Sequence, residues 1–337
     1  MSRKTQLGRS VLDLIGNTPI LELGLKNAPG RIFLKLEKHN PGGNVKDRSA
    51  LNMVIAAEQR GDLRKGGTII ESSSGNTGLA LAMIGAARGY RVIVVVDNHV
   101  QAEKIAVIRA YGAQIEHVGR HLPPEQQAGE ERDLRIRELL AAIPGAFCVG
   151  QGDNLDNQEA HYRTTAEEIL ATVGAVDYFF AAIGTGGTIS GTARRLKEAH
   201  PATRVIGLEP KGSVFFGDVY EPFYLSGAGS TKEIWRNIDF SLIDEHFQVS
   251  DQQAFNTARF LARHYGLLTG GTGGLVAYMM LAYLASKQCS GTVVGLLPDG
   301  GEQYLNTLFN DEWMAEHRLF DPNLDRFLKE HLLPPFG

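Results

Sequence analysis

Two hydrophobic rhythms alternate along the chain. Short continuous runs rich in Val, Ile and Phe, such as RIFLKLE and RVIVVVD, predict strands over 31–37, 68–71, 91–97, 114–118, 178–183, 204–209 and 292–298. Runs this apolar belong to strands buried on both faces. Between most of them the apolar positions fall three and four apart, which predicts helices over 47–60, 77–88, 102–111, 159–170, 188–200, 252–264 and 275–286. Strands alternating with helices build a parallel sheet covered on both faces, so the expected class is α/β. No repeat of 20–50 residues is present, which excludes a solenoid. The polar stretch 121–132 (HLPPEQQAGEER) predicts a surface segment. The amphipathic end, 320–337, is expected either to pack as a tail or to meet a partner.

Length and charge narrow this picture. The 337 residues suffice for two domains at roughly 150 residues each. Glycine contributes 39 residues without any low-complexity tract, so it signals tight turns and close backbone approaches rather than disorder. The net charge, 34 − 38 = −4, argues against a nucleic-acid partner, which demands a basic patch. Two cysteines, Cys148 and Cys289, exclude a disulfide scaffold and a four-cysteine metal site; both are expected to be buried, reduced thiols, and no metal is expected. No run of 18 apolar residues occurs and the first residues carry no secretory pattern, so the expectation is a cytoplasmic protein without a membrane contact.

In α/β sheets ligands sit beyond the carboxyl ends of strands, where loops enter helices. Four segments here have that setting. The turn 40–48 (NPGGNVKDR) follows a strand and opens a helix around Lys46, which is either a solvated charge or an amine placed to form a Schiff base. Asp47 and Arg48 beside it are candidates for local charge balance. The segment 71–78 (ESSSGNTG) is either a plain capped helix start or, through hydroxyls and free backbone N–H groups, a cradle for a small carboxylate. The segment Gly184, Thr185, Gly186, Gly187, Thr188 fits neither a Walker loop nor the dinucleotide spacing; its unobstructed amides suit one phosphate, the alternative being a tight turn. In 269–274 (TGGTGG), Thr272 either offers its hydroxyl to a ring nitrogen or caps the next helix. Taken together, an aldehyde-capturing lysine, a phosphate loop and a carboxylate loop specify pyridoxal 5'-phosphate.

The motifs PGGNVKDR, ESSSGNTG, GTGGT, GGTGG and PDGGEQYLNT, spread in order over residues 8–315, resemble those of the cysteine synthase and cystathionine β-synthase family of fold-type-II pyridoxal phosphate enzymes. The resemblance implies a tryptophan synthase β-like fold of two three-layer α/β/α domains with mostly parallel sheets. Residues 48–155 would form a smaller mobile domain for the substrate carboxylate, 1–47 and 156–320 a larger one for the cofactor phosphate, and 321–337 a tail. It implies that Lys46 carries the cofactor, that Asn76 meets its ring hydroxyl, that 184–188 hold the phosphate and that Thr272 faces the pyridine nitrogen. Ser73, Ser74, Gly75 and Thr77, assisted by Gln151, would bind an amino-acid carboxylate. The implied reaction is β-replacement on O-acetyl- or O-phospho-L-serine by way of an aminoacrylate, in a homodimer acting on small amino-acid substrates. Departures are Thr272 in place of the usual serine, Gly300 where serine or arginine is common, and VVVDN (94–98) in place of a Met-Pro pair. VVVDN and KGSVFFGD (211–218) are similar to siderophore-pathway synthases that join O-phosphoserine to glutamate toward 2,3-diaminopropionate. Gly152 lacks the aromatic side chain expected in that subgroup.

Overall fold

The computed structural model describes residues 7–26, 30–73, 75–98, 100–122, 128–217, 219–231, 234–287 and 290–333. Among the described residues ten strands form two sheets. The first orders β1 (Ile20–Leu23), β2 (Gly30–Leu36), β10 (Gly291–Leu297), β7 (Tyr178–Ala182), β8 (Arg204–Pro210) and β9 (Glu245–Val249); the second orders β5 (Gln114–His117), β4 (Arg91–Val96), β3 (Thr68–Ser72) and β6 (Phe147–Cys148). Every pairing is parallel except β1 with β2. The seven strands expected from apolar runs lie within two residues of their expected bounds, because Ile69, Ile93, Phe179, Val205 and Val294 are fully buried. β1, β6 and β9 were not expected: ILEL is an edge strand with two exposed positions, FC is two residues long, and EHFQV is largely half-buried.

The helices are α1 (Lys46–Arg60), α2 (Asn76–Arg88), α3 (Ala102–Ala110), α4 (Gly129–Ala142), α5 (Asp156–Ala160), α6 (Ala166–Val173), α7 (Gly187–Ala199), α8 (Asp251–Tyr265), α9 (Gly271–Lys287), α10 (Asp311–Glu316) and α11 (Pro322–His331). One expectation is corrected here. The single helix over 159–170 is instead α5, a π-helical turn His161–Thr165, and α6. Of the stretch expected at the surface, Gly129 to Arg132 are half-buried or exposed and form the first turn of α4, with Glu130 and Glu131 favourably placed at its positive end. Residues 123–127 lie outside the described residues.

Separate cores cover the two sheets. α8 and α9 pack with Leu34, Phe180 and Val293 against the first sheet, while α1 and α2 pack with Ile69 and Val94 against the second. The tail closes onto the first core through Leu324, Leu328 and Leu332, and Leu333 N–H donates to the Gly24 carbonyl at 2.9 Å. Cys148 is a free thiol, half-buried rather than fully so, and its pKa is pushed up to about 12 by burial and the neighbouring Glu71 charge. Cys289 lies outside the described residues. Among the described residues no helix is long and apolar enough to cross a membrane, and no His, Cys, Asp and Glu cluster could hold a metal.

Candidate active site

Lys46 opens α1, and its approach is tied to the end of β10. Val45 N–H donates to the Pro298 carbonyl at 2.8 Å, Asn44 pairs with Asp299, and Asn44 Oδ1 accepts from Lys46 N–H at 2.9 Å. The lysine Nζ lies 3.5 Å from Thr185 Oγ1, so the first and third predicted loops meet although 139 residues separate them. Burial lowers the Lys46 pKa to about 8, partly opposed by the attraction of Glu71. An amine in that range sheds its proton far more readily than a free lysine. Glu71 is pushed up to about 7 by burial, against N–H donors from Gly150, Gln151 and Ser72 and the Lys46 charge.

Two residues beyond Lys46, Arg48 anchors the same helix in a buried ionic cluster. Its Nε donates to Glu37 Oε2 at 2.6 Å, its Nη1 to Glu168 Oε1 at 2.6 Å and its Nη2 to Thr18 Oγ1 at 3.1 Å. Lys35 Nζ donates to Glu168 Oε2 at 2.6 Å, and the Thr18 hydroxyl to Glu37 Oε1 at 2.7 Å. Burial pushes the Glu37 carboxyl up, but Arg48, Lys35 and Thr18 outweigh it and hold the pKa at about 2. The charge balance expected of Arg48 is therefore a network spanning β2, α1 and α6. Asp47 plays a different part: it accepts from Gly42 N–H at 2.6 Å and is raised to about 7 by burial.

The carboxylate-loop candidates lie at the start of α2. Ser73 Oγ accepts from the N–H groups of Gly75 at 3.2 Å and Gly78 at 3.1 Å, so it caps the helix and keeps its own proton to donate. The Thr77 hydroxyl donates to Gln151 Oε1 at 2.6 Å, joining α2 to the facing loop. A Cβ at Gly75 would meet nothing within 4 Å, so that backbone faces open space. Ser74 lies outside the described residues. The loop carrying Gln151 is itself clamped: Asn157 Nδ2 donates to the Gln151 carbonyl at 2.8 Å and reaches Thr185 Oγ1 at 3.2 Å, while Asn237 Nδ2 donates to the Gly152 carbonyl at 2.8 Å.

The remaining candidates share a second chain of hydrogen bonds. Asn76 Nδ2 donates to Asp299 Oδ2 at 2.9 Å, the Tyr304 hydroxyl donates to the same oxygen at 2.7 Å, and Ser226 Oγ stands 3.5 Å from Tyr304. Thr272 donates its hydroxyl to the Ser226 carbonyl at 2.9 Å. It is the second residue of α9, not the residue that caps it. At the phosphate-loop candidate, Gly186 has φ +88°, a left-handed conformation that favours glycine, and a Cβ there would press within 2.4 Å of Ile238.

An anion bearing an aromatic aldehyde fits this arrangement. Among the described residues no side chain caps α7 at Gly186, which leaves its first-turn N–H groups to an anion, and Asn76 Oδ1 is buried without a partner. Glu71, Asn157, Asn237 and Asp299 escaped assignment from sequence. Glu71 and Asp299 stood inside quoted motifs, and only their burial marks them; Asn157 and Asn237 carried no local signal.

A family model for pyridoxal-phosphate dependent enzymes matches residues 11–299. A putative cysteine synthase of Sinorhizobium fredii is 44% identical over 318 residues, which cover 94% of this chain and 95% of the relative. A crystal structure of a hydrogen sulfide-producing enzyme from Fusobacterium nucleatum matches with TM-score 0.83 and 36% identity, covering 89% of this chain and 100% of that one. An O-acetylserine dependent cystathionine beta-synthase from Helicobacter pylori matches with TM-score 0.81 and 33% identity, over 90% and 99% of the two chains.

Proposed function

Because the chain belongs to the pyridoxal-phosphate dependent enzymes, and is cysteine synthase-like among them, we propose that it catalyses β-replacement on O-acetyl- or O-phospho-L-serine with a small sulfur nucleophile. One observation carries this reading: the desolvated Lys46 amine stands 3.5 Å from Thr185 Oγ1, beside the uncapped start of α7. When bound, pyridoxal phosphate supplies an aldehyde for Lys46 and an electron sink for the substrate's α-carbon. Gly184, Thr185, Gly186, Gly187 and Thr188 would hold the phosphate, Asn76 would meet the ring hydroxyl and Thr272 the ring nitrogen. Ser73, Ser74, Gly75, Thr77 and Gln151 would orient the substrate carboxylate. The neutral Lys46 amine would take the proton from Cα as the β-leaving group departs and return it to Cα once the nucleophile has added. Closure of residues 48–155 over the substrate excludes water during the reaction. The reading extends to a homodimer in the cytoplasm serving cysteine biosynthesis.

A second reading, O-phosphoserine with an amino-acid amine such as L-glutamate, has one observation in its favour. A Cβ at Gly152 would lie 2.1 Å from the Trp235 ring. An aromatic ring thus stands where the side chain of residue 152 is missing. The test is to load the protein with cofactor, add O-acetyl-L-serine, O-phospho-L-serine and L-serine separately, and follow cofactor absorbance. A response to one ester identifies the donor, and a response to serine alone points to cystathionine β-synthase-type activity. No response to any of the three refutes the proposal. Sulfide, homocysteine and L-glutamate, added next, name the acceptor.

A further inference from the structure

His161 lies at the start of the π-helical turn His161–Thr165, and no motif drew attention to it. Single π-helical turns inside α-helices are frequent at functional sites. The ring is fully buried, with Nδ1 2.9 Å from Thr165 Oγ1 and Nε2 3.2 Å from Thr188 Oγ1. Thr188 is the last residue of the phosphate-loop candidate. Close backbone packing brings the two together: a Cβ at Gly191 would fall 2.1 Å from the Gln158 carbonyl oxygen and 3.0 Å from His161 Cβ. Only a glycine lets α7 approach the π-helical turn so nearly.

The direction of these hydrogen bonds follows from counting protons. Thr165 is fully buried, and among the described residues His161 Nδ1 is the one acceptor within reach of its hydroxyl. A buried hydroxyl proton without an acceptor is costly, so Thr165 donates to Nδ1. Nδ1 is then the acceptor, the ring proton sits on Nε2, and Nε2–H donates to Thr188 Oγ1. The Thr188 hydroxyl keeps its own proton for another partner. Burial, with repulsion from Arg48 and Lys46, holds the imidazole pKa down at about 3, so the ring stays neutral.

We propose that His161 is a positioning residue for the cofactor phosphate, locked by Thr165 in the Nε2–H form so that Thr188 is turned into a hydrogen-bond donor toward the anion. The opposite tautomer would draw the Thr188 proton toward the ring and leave a lone pair facing the phosphate. This inference rests on the reading of 184–188 as the phosphate site.

Three variants and two spectra test it. Nitrogen-15 spectra of histidine-labelled protein, with and without pyridoxal phosphate, should show His161 neutral and protonated on Nε2. Thr165→Val removes the hydroxyl at nearly constant volume and should raise the pyridoxal phosphate dissociation constant about tenfold, the lower end for a hydrogen bond to a charged group. His161→Phe should do the same. Thr165→Ser, which keeps the hydroxyl, should stay within about twofold. The phosphorus-31 resonance of the bound cofactor should move in Thr165→Val and His161→Phe and not in Thr165→Ser. A proton found on Nδ1, or equal affinities for the valine and serine variants, overturns the inference. Failure of the wild type to bind pyridoxal phosphate would sink the functional reading instead, and the tautomer, read without cofactor, would still decide the part assigned to Thr165.

Discussion

Glu37→Gln removes one negative charge from the ionic cluster that fixes the helix of Lys46 and leaves the carbon skeleton almost unchanged. Glu37 is fully buried and titrates at about 2 in the fold, against an ordinary value of 4.5. That depression corresponds to about 3 kcal/mol of stability at neutral pH. Breaking one partner of a buried pair costs about 3–5 kcal/mol. With an unfolding entropy of roughly 2.1 cal/mol/K per residue over the whole chain, about 3 kcal/mol lowers the melting midpoint by about 4 °C. The sign with pH follows from the depressed pKa. The stabilisation is present in full well above 4.5 and disappears as pH falls toward 2, so about 1 kcal/mol of it is gone by pH 3.5. Thermal melts followed by circular dichroism at pH 7 and pH 3.5 should therefore show a gap between wild type and variant that narrows from about 4 to about 3 °C. Equal midpoints at pH 7, or a gap that widens on acidification, would refute the reasoning.

Three further outcomes are expected. Gly187→Ala places a methyl 2.1 Å from Asn157 Oδ1, which displaces the amide that joins Thr185 to the Gln151 loop. Two lost hydrogen bonds, about 2 kcal/mol together, should weaken cofactor binding about thirtyfold in a titration of folded protein, and an unchanged affinity would contradict the linkage. The rate at which cofactor-free protein captures pyridoxal phosphate should rise with pH through a midpoint of about 8, since burial lowers the Lys46 pKa and the neutral amine is the nucleophile. A stopped-flow midpoint near that of free lysine would exclude a desolvated Lys46. Leu328→Ala, at a fully buried position of the tail helix, should cost about 2–5 kcal/mol in denaturant melts, and a cost near zero would show that the tail is not part of the core.

The alternation of strands and helices was legible because central parallel strands have no polar face to confuse the pattern: Ile69, Ile70 and Val92 to Val96 are all buried. Edge strands were not, since ILEL and EHFQV mix exposed and buried positions over very few residues. The π-helical turn was invisible, because an apolar spacing registers a helix without registering its pitch. Candidate loops announced themselves through glycine and hydroxyl residues at strand-to-helix junctions. Their supports did not. Asn157 reaches Thr185 across 28 residues, and Asn237 reaches Gly152 across 85, so no local pattern encodes either contact. The overlap of Trp235 with the missing side chain of residue 152 is likewise a property of the folded chain alone.

The order of strands in the larger sheet sets a timetable for biosynthesis. β2 has β1 and β10 as its neighbours, and β10 comprises Gly291–Leu297. A ribosome therefore releases the turn bearing Lys46 long before Pro298 and Asp299 exist to receive Val45 and Asn44. The four-stranded sheet draws on one uninterrupted stretch, so all of its strands emerge before β7 does. A chain cut before β10 would lack the strand that joins β2 to β7, and with it the Pro298 carbonyl that receives Val45 and holds the turn of Lys46 in place.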